Sequence, residues 1–240
     1  MTEEQTQEVR SQELLRAPVW VRDEQRRRTA LTREAIVRAA IVLADAEGLD
    51  AVSIRRVASE LQARAMSLYT YIERKEDLLD LMADEVAAET LVPGELPSDW
   101  REATLAIARR ERQTTLRHPW LVDLVTRRSA LGRVGPNMLR HSEQSIAALA
   151  GLDADLTCKW RLLTAVADYS TGVAVREVRE RDAARTGQGE LLLPYLQQLV
   201  AGGGFPHLAR MLDNGTPGQE DDNFERGLRW LLDGFADDLG

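Results

Sequence analysis

The chain has 240 residues and a formal net charge of −8, with 44% apolar and 29% charged residues. That length holds one large domain or two modest ones around a real core. A single cysteine, Cys158, excludes an internal disulfide framework and fits a reducing cytosol. The charged start MTEEQTQEVRSQELL lacks the apolar run of a signal peptide, and no stretch reaches the ~20 apolar residues of a membrane span, so the expected place is the cytoplasm.

The negative charge is unevenly spread. Residues 1–75 carry 13 Arg and Lys against 12 Asp and Glu, whereas residues 76–240 carry 18 against 27. Between 53 and 75 the count is five basic to two acidic. A nucleic-acid binder needs a basic footprint only on the face that meets phosphate. Charge alone equally describes an ordinary solvated surface.

Residues 1–30 are polar, interrupted by Pro18-Val19-Trp20 with Arg26-Arg27-Arg28 near their end, and read as a mobile arm or a loosely docked helix, where the basic triplet either reaches along a phosphate backbone or belongs to an ordinary solvated tail. Thr32 caps the first helix, TREAIVRAAIVLADAEGL, in which Ile36, Ala39, Ala40, Leu43 and Ala44 recur at helical spacing until Gly48 breaks it. Ser53 caps a second helix, IRRVASEL, with Ile54, Val57, Ala58 and Leu61 on one side and Arg55 and Arg56 away from it. After Gln62-Ala63 the spacing predicts a third helix over 64–71, with Ala65, Leu68 and Ile72 inward and Arg64, Ser67, Tyr69 and Thr70 outward or edge-on. A fourth helix begins at Lys75-Glu76-Asp77, with acids in its favourable first turn, and runs to Pro93-Gly94.

Three helices, the last two joined by a tight turn, have the form of a helix-turn-helix unit, although such corners also occur in proteins that never meet DNA. Past Gly94 the punctuation continues with helices alone. One follows Ser98, a short LVDLVTRR follows His118-Pro119-Trp120, and Pro136 opens NMLRHSEQSIAALAGL. A long segment over 155–181, LLLPYLQQL, a Gly202-Gly203-Gly204-Phe205-Pro206 turn and a final NFERGLRWLLDGFADDL complete the chain. No Val/Ile/Thr alternation appears, so the fold class is all-α.

The stretch LTREAIVRAAIVLADAEGLDAVSIRRVASELQARAMSLYTYIERKEDLLDLM, residues 31–82, resembles the DNA-binding domain of the TetR family of transcriptional regulators. HPWLVDLV, GPNMLRH, FPHLAR and FERGLRWLLDG are similar to the tetracycline-repressor-type C-terminal domain. The resemblance divides the chain into an arm (1–30), a helix-turn-helix domain (31–74), a linking helix (75–92) and a ligand-binding and dimerisation domain (93–240). It implies a homodimer on a palindromic operator, an unidentified small-molecule effector, and pairing of protomers through about 155–181 and 221–238. Repression is the commoner mode in the family, with activation the alternative.

Carried over by position, Arg55 matches a base-contacting residue, while Ser53, Ser67, Tyr69 and Lys75 match residues that approach phosphate. Hydroxyls and lysine suit phosphate anchoring, and arginine can donate two hydrogen bonds to guanine. Arg64, Ala65 and Thr70 complete the expected reading face. One departure stands out: Gln62 occupies a turn position where the family very often has glycine. In the C-terminal region Trp100, Trp120, Met138, Trp160 and Tyr169 are candidates to line a cavity. His118, Asn137, His141 and Gln144 are candidates for its polar contacts.

No GxSxG, Walker loop, HExxH or CxxC is present, and Cys158 has no adjacent histidine, so the sequence carries no enzyme signature. The histidines at 118, 141 and 207 lack metal-ligand spacing, and neither metal nor cofactor is expected. A helical protein-interaction module is the competing reading.

Overall fold

A computed structural model describes residues 31–127, 134–213 and 223–239, all helix, turn or irregular backbone. The expected arm (1–30), with its Arg26–Arg28 triplet, and residues 214–222, ahead of the last helix, lie outside the described residues.

Helix α1 spans Arg33–Glu47. The Thr32 hydroxyl accepts from the Ala35 amide at 3.1 Å, and Gly48 ends the helix with φ +86°. A single 3₁₀ turn over Leu49–Ala51 leads to α2, Ile54–Glu60, capped by Ser53, whose hydroxyl accepts from the Arg56 amide at 3.2 Å. Helix α3 is Ala65–Leu68, shorter than the spacing suggests. The Leu68 carbonyl accepts from both the Tyr71 and Ile72 amides, which winds the chain into a tight turn before α4, Lys75–Ala87. These helices share one core with Ile36, Leu68, Ile72, Leu78 and Met82 at its centre.

The turn between α2 and α3 resolves the question of Gln62. The Gln62 amide donates to Ser59 and the Ala63 amide to the Ala58 carbonyl, at 3.0 and 2.8 Å. That is the Schellman arrangement, which requires a left-handed residue after the helix cap. Gln62 holds that position with φ +51°, unlike any other non-glycine among the described residues. Its Cβ makes this region costly. Gln62→Gly is therefore expected to raise stability by about 0.5–1 kcal/mol, once the greater freedom of unfolded glycine is subtracted. Urea unfolding of the two proteins checks it, and a destabilised variant would refute the strain.

The second layer comprises α5 (Trp100–Arg117), α6 (Trp120–Arg127), α7 (Pro136–Ala148), α8 (Leu156–Arg185), α9 (Gln188–Ala201), α10 (Pro206–Asp213) and α11 (Asn223–Leu239). Helix α5 packs along α8, and both receive α11, whose Phe224, Leu228 and Leu232 are buried with Leu105, Leu162 and Val166. Arg109 on α5 donates to Glu225 on α11 at 2.7 Å, and this bond holds the Glu225 carboxyl below its usual range. Arg112 on α5 grips Glu177 on α8 at 2.9 Å.

Helix α6 crosses between the layers. Trp120 and Leu124 are buried in the core of α1–α4, not in that of α5, α8 and α11. The Trp120 indole N–H donates to Asp45 on α1 at 2.7 Å. His118, almost fully buried, bonds Asp45 at 2.7 Å through Nδ1 and Glu89 at 3.3 Å through Nε2.

Candidate nucleic-acid interface and internal cavities

The corner formed by α2 and α3 presents one polar face. Arg55, Arg64, Ser67 and Thr70 are exposed, Tyr69 is 47% exposed, and Lys75 is half-buried as the first residue of α4. Ser53 is exposed at the start of α2, with its hydroxyl occupied as the cap. Ala65 is half-buried against the core, which leaves its neighbour Met66, 75% exposed, as the apolar tip of the face. Spacing arguments missed Met66 because an apolar residue at a helical position is ordinarily assigned inward. Leu68 and Ile72, both buried, fasten this face to the body.

The two adjacent arginines of α2 differ in their surroundings. Arg56 is bound to Glu47 at 2.7 Å and to Glu60 at 3.3 Å. Arg55 and Arg64 make no ion pair among the described residues, so their guanidinium donors remain open to an incoming acceptor. Arg74, just before Lys75, is bound to Asp77 at 2.7 Å.

Behind this unit, α4 is clamped into the second layer along its C-terminal half. Asp84 accepts from the Asn137 and Met138 amides at 3.0 and 3.1 Å, so a side chain of α4 caps the N-terminus of α7. Asn137 returns a bond to the Asp84 carbonyl at 3.0 Å. Gly135 is required here, since a Cβ would stand 2.2 Å from the Asp84 carboxylate. Beyond α4, a 3₁₀ turn over Ala88–Thr90 is held by α7 through Thr90 and His141, 3.0 Å apart. Glu89 receives Arg117 and His118 from the end of α5. Gln144 bonds both backbone groups of Val92 at 2.9 Å.

Two cavities lie between these helices. One of about 370 Å³ is bounded by α4, α5, α6, α7 and α8, including Val86, Thr90, Arg112, Leu121, Met138 and Ser170. The other, of about 330 Å³, lies between α5, α7 and α8, including Ile107, Ser145, Ile146, Trp160, Leu163 and Thr164. Met138, His141 and Trp160 of the sequence-selected candidates line these spaces.

The other candidates are engaged elsewhere. Trp100 is buried in the α5/α8/α11 core with Arg101 stacked 4.4 Å over its ring. His118 and Trp120 join the layers through Asp45, and Asn137 serves Asp84. Tyr169 stacks on Phe224, and its hydroxyl donates to the Phe224 carbonyl at 3.0 Å beside Gly227. The hydroxyl-bearing and charged walls, among them Thr90, Glu111, Arg112 and Ser170, were not singled out from the sequence, since helical periodicity does not say which helices converge. Among the described residues no group of His, Cys, Asp and Glu is placed to hold a metal ion, and no helix is long and apolar enough to cross a membrane.

Comparison with known proteins places this architecture. A model described as the tetracyclin repressor-like C-terminal domain matches residues 92–239. The chain is 34% identical over 212 residues to the HTH-type transcriptional repressor DrrR1 of Streptomyces coeruleorubidus, across 85% of this chain and 77% of that one. It is 34% identical over 224 residues to an HTH-type transcriptional regulator of Saccharopolyspora erythraea, across 92% of both. The structure of ActR, a TetR family protein of Streptomyces coelicolor solved in complex with actinorhodin, superposes with a TM-score of 0.73 at 30% identity, over 88% of this chain and 99% of that one. The chain belongs to the TetR family of transcriptional regulators.

Proposed function

We propose that the protein is a ligand-released repressor that binds a palindromic operator as a homodimer, acting on the bacterial nucleoid in the cytoplasm. The observation that carries this reading is a polar face with uncommitted arginines, fixed through α4 to helices that enclose cavities. Arg55 and Arg64 read base edges, with Ala65, Met66 and Thr70 shaping the fit. Ser53, Ser67, Tyr69 and Lys75 anchor phosphates. Ser53 keeps its capping bond, so its hydroxyl donates outward.

Pairing of protomers runs through α8 and α11. Both pack against the interior on one side and carry large apolar groups outward on the other, with Leu156 at 81%, Trp160 at 66% and Trp230 at 70% exposure. Exposed apolar surface of this kind is characteristic of a partner contact. An effector in the cavities favours the dimer whose recognition helices are spaced wrongly for two half-sites, to the extent that it binds that form better. DrrR1 is named a repressor and ActR holds a small molecule, which supports both halves of the reading.

Selection of bound sequences from random duplex DNA with the purified protein tests it. The expected result is a motif with two inverted half-sites about one helical turn apart. Recovery of no palindrome would overturn specific operator binding and favour a protein-interaction module.

A further inference from the structure

Met66 is the odd member of the polar face. It is 75% exposed, whereas the exposed residues around it, Arg55, Arg64, Ser67, Tyr69 and Thr70, all carry a hydrogen-bonding group. One exposed methionine would mean little on an ordinary surface, where single apolar side chains are common. Its position in α3 sets it apart.

Met66 is the second residue of α3. Two residues are about 200° of helical rotation apart, so Met66 points almost directly away from the fully buried Leu68. On either side of it, Ala65 packs on the core and the Ser67 amide closes onto the Arg64 carbonyl at 2.8 Å. The Ala63 amide is tied back to the Ala58 carbonyl at 2.8 Å, which fixes the approach to α3. The methionine is therefore held at the outermost point of a firmly placed turn. In a helix-turn-helix unit docked on a duplex, the first residues of the second helix are those that meet base edges.

Major-groove chemistry limits what this side chain can recognise. The base edges present hydrogen-bond donors and acceptors, and the C5-methyl of thymine is the one apolar group that projects among them. Seated against a carbonyl or amine edge, Met66 would strip water from a polar group and return no bond, which is unfavourable. Seated against the methyl, it takes two apolar surfaces out of water together. The preference thus has two sources, a gain at thymine and a cost elsewhere. Ala65 is half-buried against the core, whereas the unbranched, flexible Met66 can follow the methyl into the groove.

We infer that Met66 is a specificity-determining residue that recognises the C5-methyl group of one thymine in each operator half-site. The inference rests on the operator-binding reading above and deepens it, adding an apolar contact to the hydrogen bonds of the arginines. Arginine selects guanine, and the methionine selects a methylated pyrimidine over one without the methyl. Because the contact is to a methyl group, 5-methylcytosine satisfies it as well.

The test uses the full chain and its selected operator, in which each thymine is replaced in turn by deoxyuridine, in both half-sites together. Uracil pairs as thymine does and lacks only the methyl. At one thymine per half-site the affinity should fall about fourfold for each site, or about fifteenfold for the pair, as expected for one buried methyl group. Met66→Ala should bind the thymine and uracil operators equally there and leave the response at every other thymine unchanged. Met66→Leu keeps the apolar surface and should retain the discrimination, whereas Met66→Gln should lose it. Cytosine and 5-methylcytosine at that position, opposite guanine, should differ by the same factor. All three variants should melt with the unaltered protein, since Met66 is already 75% exposed before binding.

A full uracil penalty retained in Met66→Ala, or no thymine whose methyl matters to the unaltered protein, would overturn the inference. In either case a palindromic operator that still depends on Arg55 leaves the regulator reading standing. Selection that yields no operator would overturn the regulator reading and the methyl contact with it, so the first step already separates the two failures.

Discussion

Trp120→Ala is expected to cost about 3–5 kcal/mol of stability, the range for removing a fully buried large aromatic from a core. Surface substitutions stay within about 0.5 kcal/mol, so the difference is easily measured. Trp120 is 2% exposed and sits in the core of α1–α4, although its helix lies beyond α5 in the chain. Its loss therefore removes packing between the layers as well as within one. Trp120→Phe keeps most of the ring volume and forfeits the bond to Asp45, with an expected cost of about 1 kcal/mol. Urea unfolding followed by circular dichroism measures both. A Trp120→Ala cost below that of Trp120→Phe would show that α6 does not hold the layers together.

Arg55→Ala should reduce affinity for the selected operator by about 1–3 kcal/mol, roughly ten- to hundredfold, while scrambled duplex loses much less. Arg56→Ala, one residue along, should change either affinity by no more than about twofold, because its guanidinium is already held by Glu47 and Glu60. Lys75→Ala provides the contrast. It should weaken both duplexes alike and lower the salt slope by about one. Titrations of all three variants at several salt concentrations separate these cases. Equal losses for Arg55→Ala on matched and scrambled DNA would remove it from the base readers.

The pair Arg55 and Arg56 also shows where sequence reading stops. Both residues lie on the outer side of a correctly placed helix, and periodicity treats them alike. What separates them is Glu47, nine positions away on α1, together with Glu60 one helical turn on. Features set by near neighbours were legible: the caps at Thr32 and Ser53, the break at Gly48, the proline opening α7, and the anomaly at Gln62. Helical segments were legible for the same reason.

The interior was less so. Large aromatics were natural cavity candidates, yet Trp100, Trp120 and Tyr169 fill cores and joints, where their area contributes most. The cavity walls are instead rich in small and hydroxyl-bearing residues from five helices, each unremarkable in its own segment. Ser170 becomes distinctive only when its buried hydroxyl is seen to have no hydrogen-bond partner. Met66 was passed over because exposure of a methionine cannot be read from a short helix whose partners are unknown.

The 3₁₀ turn at Ala88–Thr90 is gripped by His141 through Thr90 and by His118 through Glu89. A reader on a loose hinge would surrender orientational freedom each time it met its site, and its apparent affinity would fall by the fraction of time spent misaligned. Here that restriction is met during folding. Under the repressor reading proposed above, the free protein would be poised for DNA, and the burden of rearrangement would fall on the effector, whose potency would be set by what it must unfasten as much as by what it touches.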